Sequence, residues 1–134
     1  MSIGVGRVFS TEVGVELPGE PGIYTWDIRS NLVFADGAVA RLFGVDPGDA
    51  KHGLPLDSYL DKVHPEDRPA LAKAITDTIV ADIPQQQVYR VRSFEHTYQA
   101  VAAFGRAFHT RDGTLVAYSG MVIIAENEQQ DANH

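Results

Sequence analysis

The stretch that most constrains the fold is residues 55–80, PLDSYLDKVHPEDRPALAKAITDTIV. Its apolar residues recur at intervals of three and four, first over Leu56–Val63 and again over Leu71–Ile79, which predicts two amphipathic helices. Between them Pro65 disfavours helical geometry at His64, so we expect the first helix to stop near Val63. We expect His64-Pro65-Glu66-Asp67 to be a turn that starts the second helix, with the two acidic side chains near its unpaired N–H groups. Because short amphipathic helices are stable mainly through packing of their apolar faces, the flanking segments must supply a surface for them.

The flanking segments have the period-two alternation of β-strands. Five segments show it: residues 23–28, 32–35, 88–92, 98–108 and 115–124. The first two are predicted to form one hairpin, and Asp112-Gly113 is predicted to be the turn between the last two. Between the two groups of strands, Asp36 is predicted to cap a short helix that ends at Gly44, and residues 46–53 form a loop or a single helical turn. Segregated helices and hairpin-joined strands predict an α+β domain with short helices on one face of an antiparallel sheet.

Charge and composition exclude several classes of function. The 134 residues carry a formal net charge of −7 and include no cysteine. The acidic balance argues against nucleic acid or an anionic membrane as the main partner. No apolar run approaches the roughly 20 residues that span a bilayer, so we expect a cytoplasmic protein with no membrane association. Without cysteine, the chain cannot use a thiolate nucleophile, an iron–sulfur cluster or a zinc–thiolate site.

The chain is long enough for one hydrophobic core, and its composition changes near both ends. We expect residues 1–21 to be an N-terminal leader that is either flexible or docks on the body, where it would take part in dimer contacts. Residues 22–125 are predicted to be the folded domain. The polar residues 126–134 are expected to be a disordered tail.

Seven short motifs recur in the order and spacing typical of one family. They are Trp26-Asp27, Leu42-Phe43-Gly44, Val63-His64-Pro65-Glu66-Asp67-Arg68, Tyr89-Arg90-Val91, Gly105-Arg106, Asp112-Gly113 and Gly120. Over residues 22 to 124 the chain thus resembles a PAS domain with its PAC half. The resemblance implies a five-stranded antiparallel sheet of order 2-1-5-4-3, with helices that form a pocket against one face. It also implies a sensory or interaction module of the kind that serves kinases, cyclases or transcription regulators, with no enzymatic activity.

The C-terminal end departs from the family pattern. PAS sensors that are joined to an effector usually carry an Asp-Ile-Thr triplet after the last strand, whereas this chain has Ile124-Ala125-Glu126. We therefore expect a stand-alone module that acts in trans on a histidine kinase or a response regulator. The alternative is an excised sensor domain of a histidine kinase.

The residues leave the cofactor unknown. The absence of cysteine rules out the flavin adduct that some relatives form, and no histidine favours a haem. His52, near the expected pocket mouth, is the best candidate axial ligand, while His64 is expected to cap the turn that contains it. No cluster of histidines and carboxylates has the spacing of a metal site.

Successive residues of a strand point to opposite faces of the sheet, which we call strand parity. Strand parity and the family register together predict which residues surround a pocket. The predicted lining comprises Tyr24, Phe34, Phe43, Leu60, Ile75, Ile79, Tyr89, Val101, Ala103, Tyr118 and Val122. The small residues of this face leave volume, which either the helices fill, giving a collapsed core, or a ligand occupies. A ligand would be a small, mainly apolar or aromatic molecule, with tyrosine hydroxyls as its polar contacts.

The same parity places a second group of residues on the outer face of the sheet. They are Ala100, Ala102, Phe104, Arg106, Phe108, Met121 and Ile123. An apolar patch of this size needs a cover, which could be the leader through Val5, Val8 and Phe9, a second copy, or another protein. We favour a homodimer to which the leader contributes. Arg106 either pairs with an acidic side chain across that contact or is simply hydrated.

Two alternatives to an interaction module stay open. The first is a sensor whose small-molecule ligand, or less favourably haem, alters the dimer. The second is an enzyme on a cone-shaped fold similar to ketosteroid isomerase. That fold begins with long helices and needs a buried acid or histidine, whereas this chain begins with strands and offers only Tyr118.

Overall fold

The computed structural model describes residues 20–94 and 96–125, which form an antiparallel sheet with short helices packed against one face. The strands are β1 (Gly22–Asp27), β2 (Leu32–Ala35), β3 (Gln85–Arg92), β4 (Tyr98–His109) and β5 (Leu115–Ile124). Their spatial order is β2-β1-β5-β4-β3, and all neighbouring strands are antiparallel. The predicted α+β class and strand order are therefore confirmed.

Four helices lie between β2 and β3 in the sequence. They are α1 (Gly37–Phe43), α2 (Pro47–His52), α3 (Leu56–Leu60) and α4 (Arg68–Ala81). The Asp36 carboxylate accepts a hydrogen bond from the Val39 N–H, and Gly44 ends α1 with a φ of 64°, as predicted. The segment left open as a loop or helical turn is α2, and the Asp46 carboxylate caps it by accepting from the Asp49 N–H.

The junction of α3 and α4 agrees with the prediction only in part. Helix α3 ends at Leu60 because Val63 leaves the helix and forms an isolated β-bridge with Val91 on the edge strand β3. Residues 65–67 form the predicted turn, and helix α4 begins directly after it at Arg68. The predicted cap at His64 is present, and its Nδ1 accepts a hydrogen bond of 3.1 Å from the Glu66 N–H.

Alternation along β4 separates the two faces of the sheet. Val101, Ala103 and Ala107 are buried under the helices, whereas Arg106 and Phe108 are exposed on the opposite face. The inner face packs against α1, α3 and α4 to form the hydrophobic core. The outer face carries no helix among the described residues.

Some predictions concern residues that the structure does not describe. The tail 126–134 and all but the last two residues of the leader 1–21 lie outside the described residues, including Val5, Val8 and Phe9. The predicted domain boundaries stay predictions. In the described part of the chain, no helix has the length and apolarity needed to cross a membrane.

Candidate functional site

A cavity of about 60 Å³ lies between the helices and the inner face of the sheet. Strands β1, β2, β3 and β5 form one wall of this cavity, and α1, α3 and α4 form the other. It is lined by Tyr24, Trp26, Val33, Val39, Phe43, Leu56, Tyr59, Leu60, Val63, Leu71, Ile75, Gln85, Tyr89, Tyr118 and Val122. None of these side chains is charged, so the cavity is apolar and aromatic with a few neutral hydrogen-bonding groups.

The structure brings most of the predicted lining residues together at this cavity. Those that line it are Tyr24, Phe43, Leu60, Ile75, Tyr89, Tyr118 and Val122. Val101 and Ala103 face inward as expected but are covered by the core, and the half-buried Ile79 lies on α4 outside the cavity lining. Whether any of these residues binds a ligand stays a prediction.

Phe34 is placed differently from the prediction. On β2 the buried residues are Val33 and Ala35, so Phe34 has the opposite parity and is 37% exposed. Its ring packs at Gly53, where a Cβ atom would lie only 3.0 Å from Phe34 Cε2. Val33 therefore takes the place in the cavity wall that was assigned to Phe34.

Several lining residues were not predicted, although the sequence contained signals for them. Trp26 has the same parity as Tyr24, and Tyr59 belongs to the apolar stripe of the helix that contributes Leu60. Gln85 has the inward parity of Tyr89 four residues later. Its polar side chain offered no reason to begin β3 there, and the strand is extended to Gln85 by pairing with β4.

Three polar side chains converge at one end of the cavity, and we call Tyr24, Gln85 and Tyr118 the polar end. The Tyr118 hydroxyl donates a hydrogen bond of 2.5 Å to Oε1 of Gln85, and both side chains are buried. They meet above Gly105. A Cβ atom on Gly105 would lie 2.8 Å from the Tyr24 hydroxyl oxygen and 2.9 Å from Gln85 Oε1. The missing side chain at Gly105 therefore makes room for the polar end.

The tyrosines of the cavity remain neutral over the ordinary pH range. Burial raises the pKa of Tyr24, Tyr89 and Tyr118 above the usual value for tyrosine, and neighbouring phenols raise the first two further. Burial also raises the pKa of Tyr59 to about 12. The buried Tyr59 hydroxyl has no hydrogen-bond partner among the described residues, although its ring packs edge-on against Phe43 at 5.5 Å.

The histidine candidates lie away from this cavity. His52 is on α2, where its Nδ1 is 2.8 Å from the Gly48 carbonyl oxygen, and it does not line the cavity. The His64 ring packs on Tyr98 with ring centroids 4.7 Å apart. Within residues 20–94 and 96–125, no group of three or more histidines and carboxylates could hold a metal ion.

The outer face of the sheet is apolar across four strands. Directly opposite residues form one row from Ile23 through Met121 and Phe104 to Gln86, and a second from Ile123 through Ala102 to Val88. Ile23 is 60% exposed, Phe108 48% and Met121 39%. We call the following residues the outer apolar face: Ile23, Val88, Ala100, Ala102, Phe104, Phe108, Met121 and Ile123. Its membership was predicted except for Ile23 and Val88, and the predicted Arg106 lies exposed beside it, opposite Ser119.

Comparison with known proteins identifies the fold. The family model described as the PAS fold matches residues 32–122. Among solved structures, a sensory box histidine kinase/response regulator from Burkholderia thailandensis superposes with a TM-score of 0.71 at 15% identity, covering 84% of this chain and 82% of that one. The N-terminal domain of a diguanylate cyclase with a PAS/PAC sensor from Marinobacter aquaeolei gives 0.71 at 13% identity, covering 82% and 99%. A PAS domain from Colwellia psychrerythraea gives 0.62 at 12% identity, covering 92% and 98%. A comparison with curated protein sequences finds no significant match.

Proposed function

Because the chain belongs to the PAS fold family, we propose that this sensory module of signal transduction works through protein contacts and performs no catalysis. The observation that carries the proposal is the outer apolar face, which crosses four strands and has no covering helix among the described residues. Contiguous exposed apolar surface on a small protein is typical of an interaction site. The neighbours from a histidine kinase and a diguanylate cyclase support a signalling context.

The partner we propose for this face is a second copy of the chain. Most homodimers have two-fold symmetry, in which the same patch on each protomer meets itself, and a broad strand row suits such self-pairing. Met121 and Phe104 lie at the middle of the first row, where burial would contribute most. Arg106, exposed at the border of the face, would lie at the rim, where a charge affects orientation more than affinity.

The output partner in this proposal is a histidine kinase or a response regulator that the dimer contacts in trans. The same outer apolar face could also form a heterodimer with a related domain of such a protein. These partners are proposed from the kinase and cyclase context of the neighbours. The cytoplasm is the proposed location.

Native mass spectrometry at high micromolar concentration tests the dimer, with Met121→Glu as the disruptive variant. A charge buried without a partner in an apolar interface costs several kcal/mol, so we expect a wild-type dimer and a monomeric variant. The matched control is Val80→Glu, because Val80 is 78% exposed on α4, away from the sheet face. A wild-type protein that is strictly monomeric would overturn the second copy as partner.

A second candidate function is supported by the cavity. A volume of about 60 Å³ with a polar end is enough for a small ligand, so the domain would be a sensor whose ligand alters its contacts. Native mass spectrometry of freshly purified protein, compared with a denatured control, would reveal a co-purified mass. A protein whose melting temperature is unchanged by a broad set of small metabolites would contradict this second function.

A further inference from the structure

The polar end of the cavity is arranged to donate hydrogen bonds. The Tyr118 hydroxyl donates to Oε1 of Gln85, and the Gln85 amide nitrogen donates to no other group in the described part of the chain, so its two hydrogens remain for another acceptor. The Tyr24 hydroxyl lies over the same glycine, Gly105, and the Tyr24 ring stacks on that of Tyr118 with centroids 6.5 Å apart. An oxygen atom that enters here meets an amide donor and a phenol donor from two different strands.

The cavity disfavours ligands that carry a charge. None of its lining residues is acidic or basic, so a charged group would lose its hydration without gaining an ion pair. The raised pKa values of Tyr24 and Tyr118 keep both hydroxyl protons in place, so these groups act as neutral donors. The suitable ligand is therefore neutral.

The size of the cavity limits the ligand further. A cavity needs roughly 10–15 Å³ to hold one water molecule, and an engineered cavity of about 150 Å³ holds benzene. The volume of about 60 Å³ lies between these values. A molecule of a few non-hydrogen atoms, smaller than benzene, matches this space without movement of the helices.

From these properties we infer that the cavity binds a short-chain neutral molecule with one oxygen acceptor, such as a small ketone, with its oxygen at the polar end. The inference rests on the ligand-sensing function proposed above and names the ligand class. The carbon chain would contact the apolar wall formed by Val39, Leu71 and Ile75. The oxygen would accept hydrogen bonds from Gln85 and Tyr24.

Three probes of matched shape test this inference. They are 2-butanone, its hydrocarbon isostere 2-methylbut-1-ene, and propanoate, which is similar in size but charged. Each is titrated into the isotope-labelled protein of 134 residues while the backbone amide signals of Gly105 and Gly120 are followed. We expect 2-butanone to shift both signals and to bind about tenfold more tightly than either other probe, because only the ketone offers a neutral acceptor.

Variants of the polar end distinguish recognition of the ligand's oxygen from simple filling of the cavity by apolar atoms. Tyr24→Phe and Gln85→Met keep the approximate volume of the side chain but remove a hydrogen-bond donor. Each substitution should therefore weaken the binding of 2-butanone by about three- to tenfold and leave the affinity for the hydrocarbon unchanged. Val80→Ala, far from the cavity, is the control. If Gln85→Met does not fold, Tyr24→Phe alone gives the comparison, because its ring is retained.

Two outcomes overturn the inference in different ways. If the hydrocarbon or propanoate binds as tightly as the ketone, the assigned ligand class is wrong, although the cavity still binds small molecules. If none of the probes shifts Gly105 or Gly120, the assigned ligand class is also wrong, whereas the ligand-sensing function itself fails only if the melting temperature is unchanged by the broad metabolite set as well. The proposed dimer through the outer apolar face is tested separately and would be unaffected by either result.

Discussion

Asp67 accepts three hydrogen bonds from Arg90, one from its backbone N–H and two from its guanidinium, at 2.8–2.9 Å. Asp67 stands at the start of α4 and Arg90 lies on the edge strand β3, so the pair joins the helix to the sheet. The side-chain hydrogen bonds from Arg90 hold the pKa of the Asp67 carboxyl below its usual value. Asp67 and Arg90 belong to two of the motifs that resemble the family, so these motif residues have a structural role in joining α4 to the sheet.

Replacing Asp67 by Asn should lower the stability of the domain at neutral pH and make that stability fall less steeply as the pH decreases. The folded-state pKa of Asp67 is lowered, so the carboxylate contributes stability above the unfolded value of about 3.9, and this is lost as the pH falls through the folded value. Thermal unfolding from about pH 7 to pH 3 should show a flatter profile for the variant. The control is Glu66→Gln, because Glu66 is exposed and meets Arg90 only at 3.5 Å. Equal effects of the two variants would contradict a special role for Asp67.

Replacing Gly105 by Ala should destabilise the domain by about 1–3 kcal/mol through overpacking. The added methyl group would lie 2.8–2.9 Å from atoms of Tyr24, Tyr118 and Gln85, so these side chains must shift from their packed positions. Gly37→Ala is the control, because the nearest atom to its added methyl group is 3.6 Å away. Urea denaturation should show a lower free energy of unfolding for Gly105→Ala and little change or a small increase for Gly37→Ala. If Gly105→Ala leaves the free energy of unfolding unchanged, the side chains of the polar end can shift to accommodate the methyl group without cost.

Removing the hydroxyl of Tyr59 and that of Tyr118 should have opposite effects on stability. Tyr59→Phe removes a buried group without a partner among the described residues, so we expect a gain of about 1 kcal/mol in the free energy of unfolding. Tyr118→Phe leaves Oε1 of the buried Gln85 unpaired, so we expect a loss of about 1–2 kcal/mol. Both free energies come from urea denaturation of the purified proteins. A loss of stability in Tyr59→Phe would show that its hydroxyl has a partner, such as an ordered water.

Stability should fall at alkaline pH because of the buried tyrosines. Burial raises the folded-state pKa of Tyr24 and Tyr89 above the unfolded value of about 10, so the folded state holds these protons more firmly. Their contribution is complete below that pH and is lost as the pH rises above it. Denaturation midpoints between about pH 8 and pH 11 should decline above pH 10, and tyrosinate absorbance should appear together with unfolding. Full tyrosine ionisation in a protein that is still folded at about pH 11 would contradict the expectation.

Much of the fold could be predicted because it depends on local patterns. The alternation of Tyr89 and Val91 with Arg90 indicates a strand with two different faces, and Asp36 and Gly44 mark the ends of a helix. The strand order came from the family resemblance, since periodicity alone does not say which strands pair. The end of α3 was misplaced because Val63 continues the helical stripe, and only its bridge to Val91 shows that the helix has stopped.

The cavity was predictable in part. Parity correctly placed Tyr24, Tyr118 and Val122 on the inner face, but it cannot say how deep a residue lies under the helices. Val101 therefore faces inward without reaching the open volume. Phe34 was assigned to the wrong face of a strand of four residues, where few positions define the alternation.

The sequence by itself determined the strands, the helix caps and the two chemically distinct sheet faces, because these depend on neighbouring residues along the chain. Only the tertiary structure decided that Tyr24, Gln85 and Tyr118 meet above Gly105. Those residues come from different strands, and their meeting requires one strand order and one register, with Gln85 opposite Gly105 and Gly105 opposite Gly120. A shift of one residue in either pairing would turn these side chains to the other face and remove the polar end.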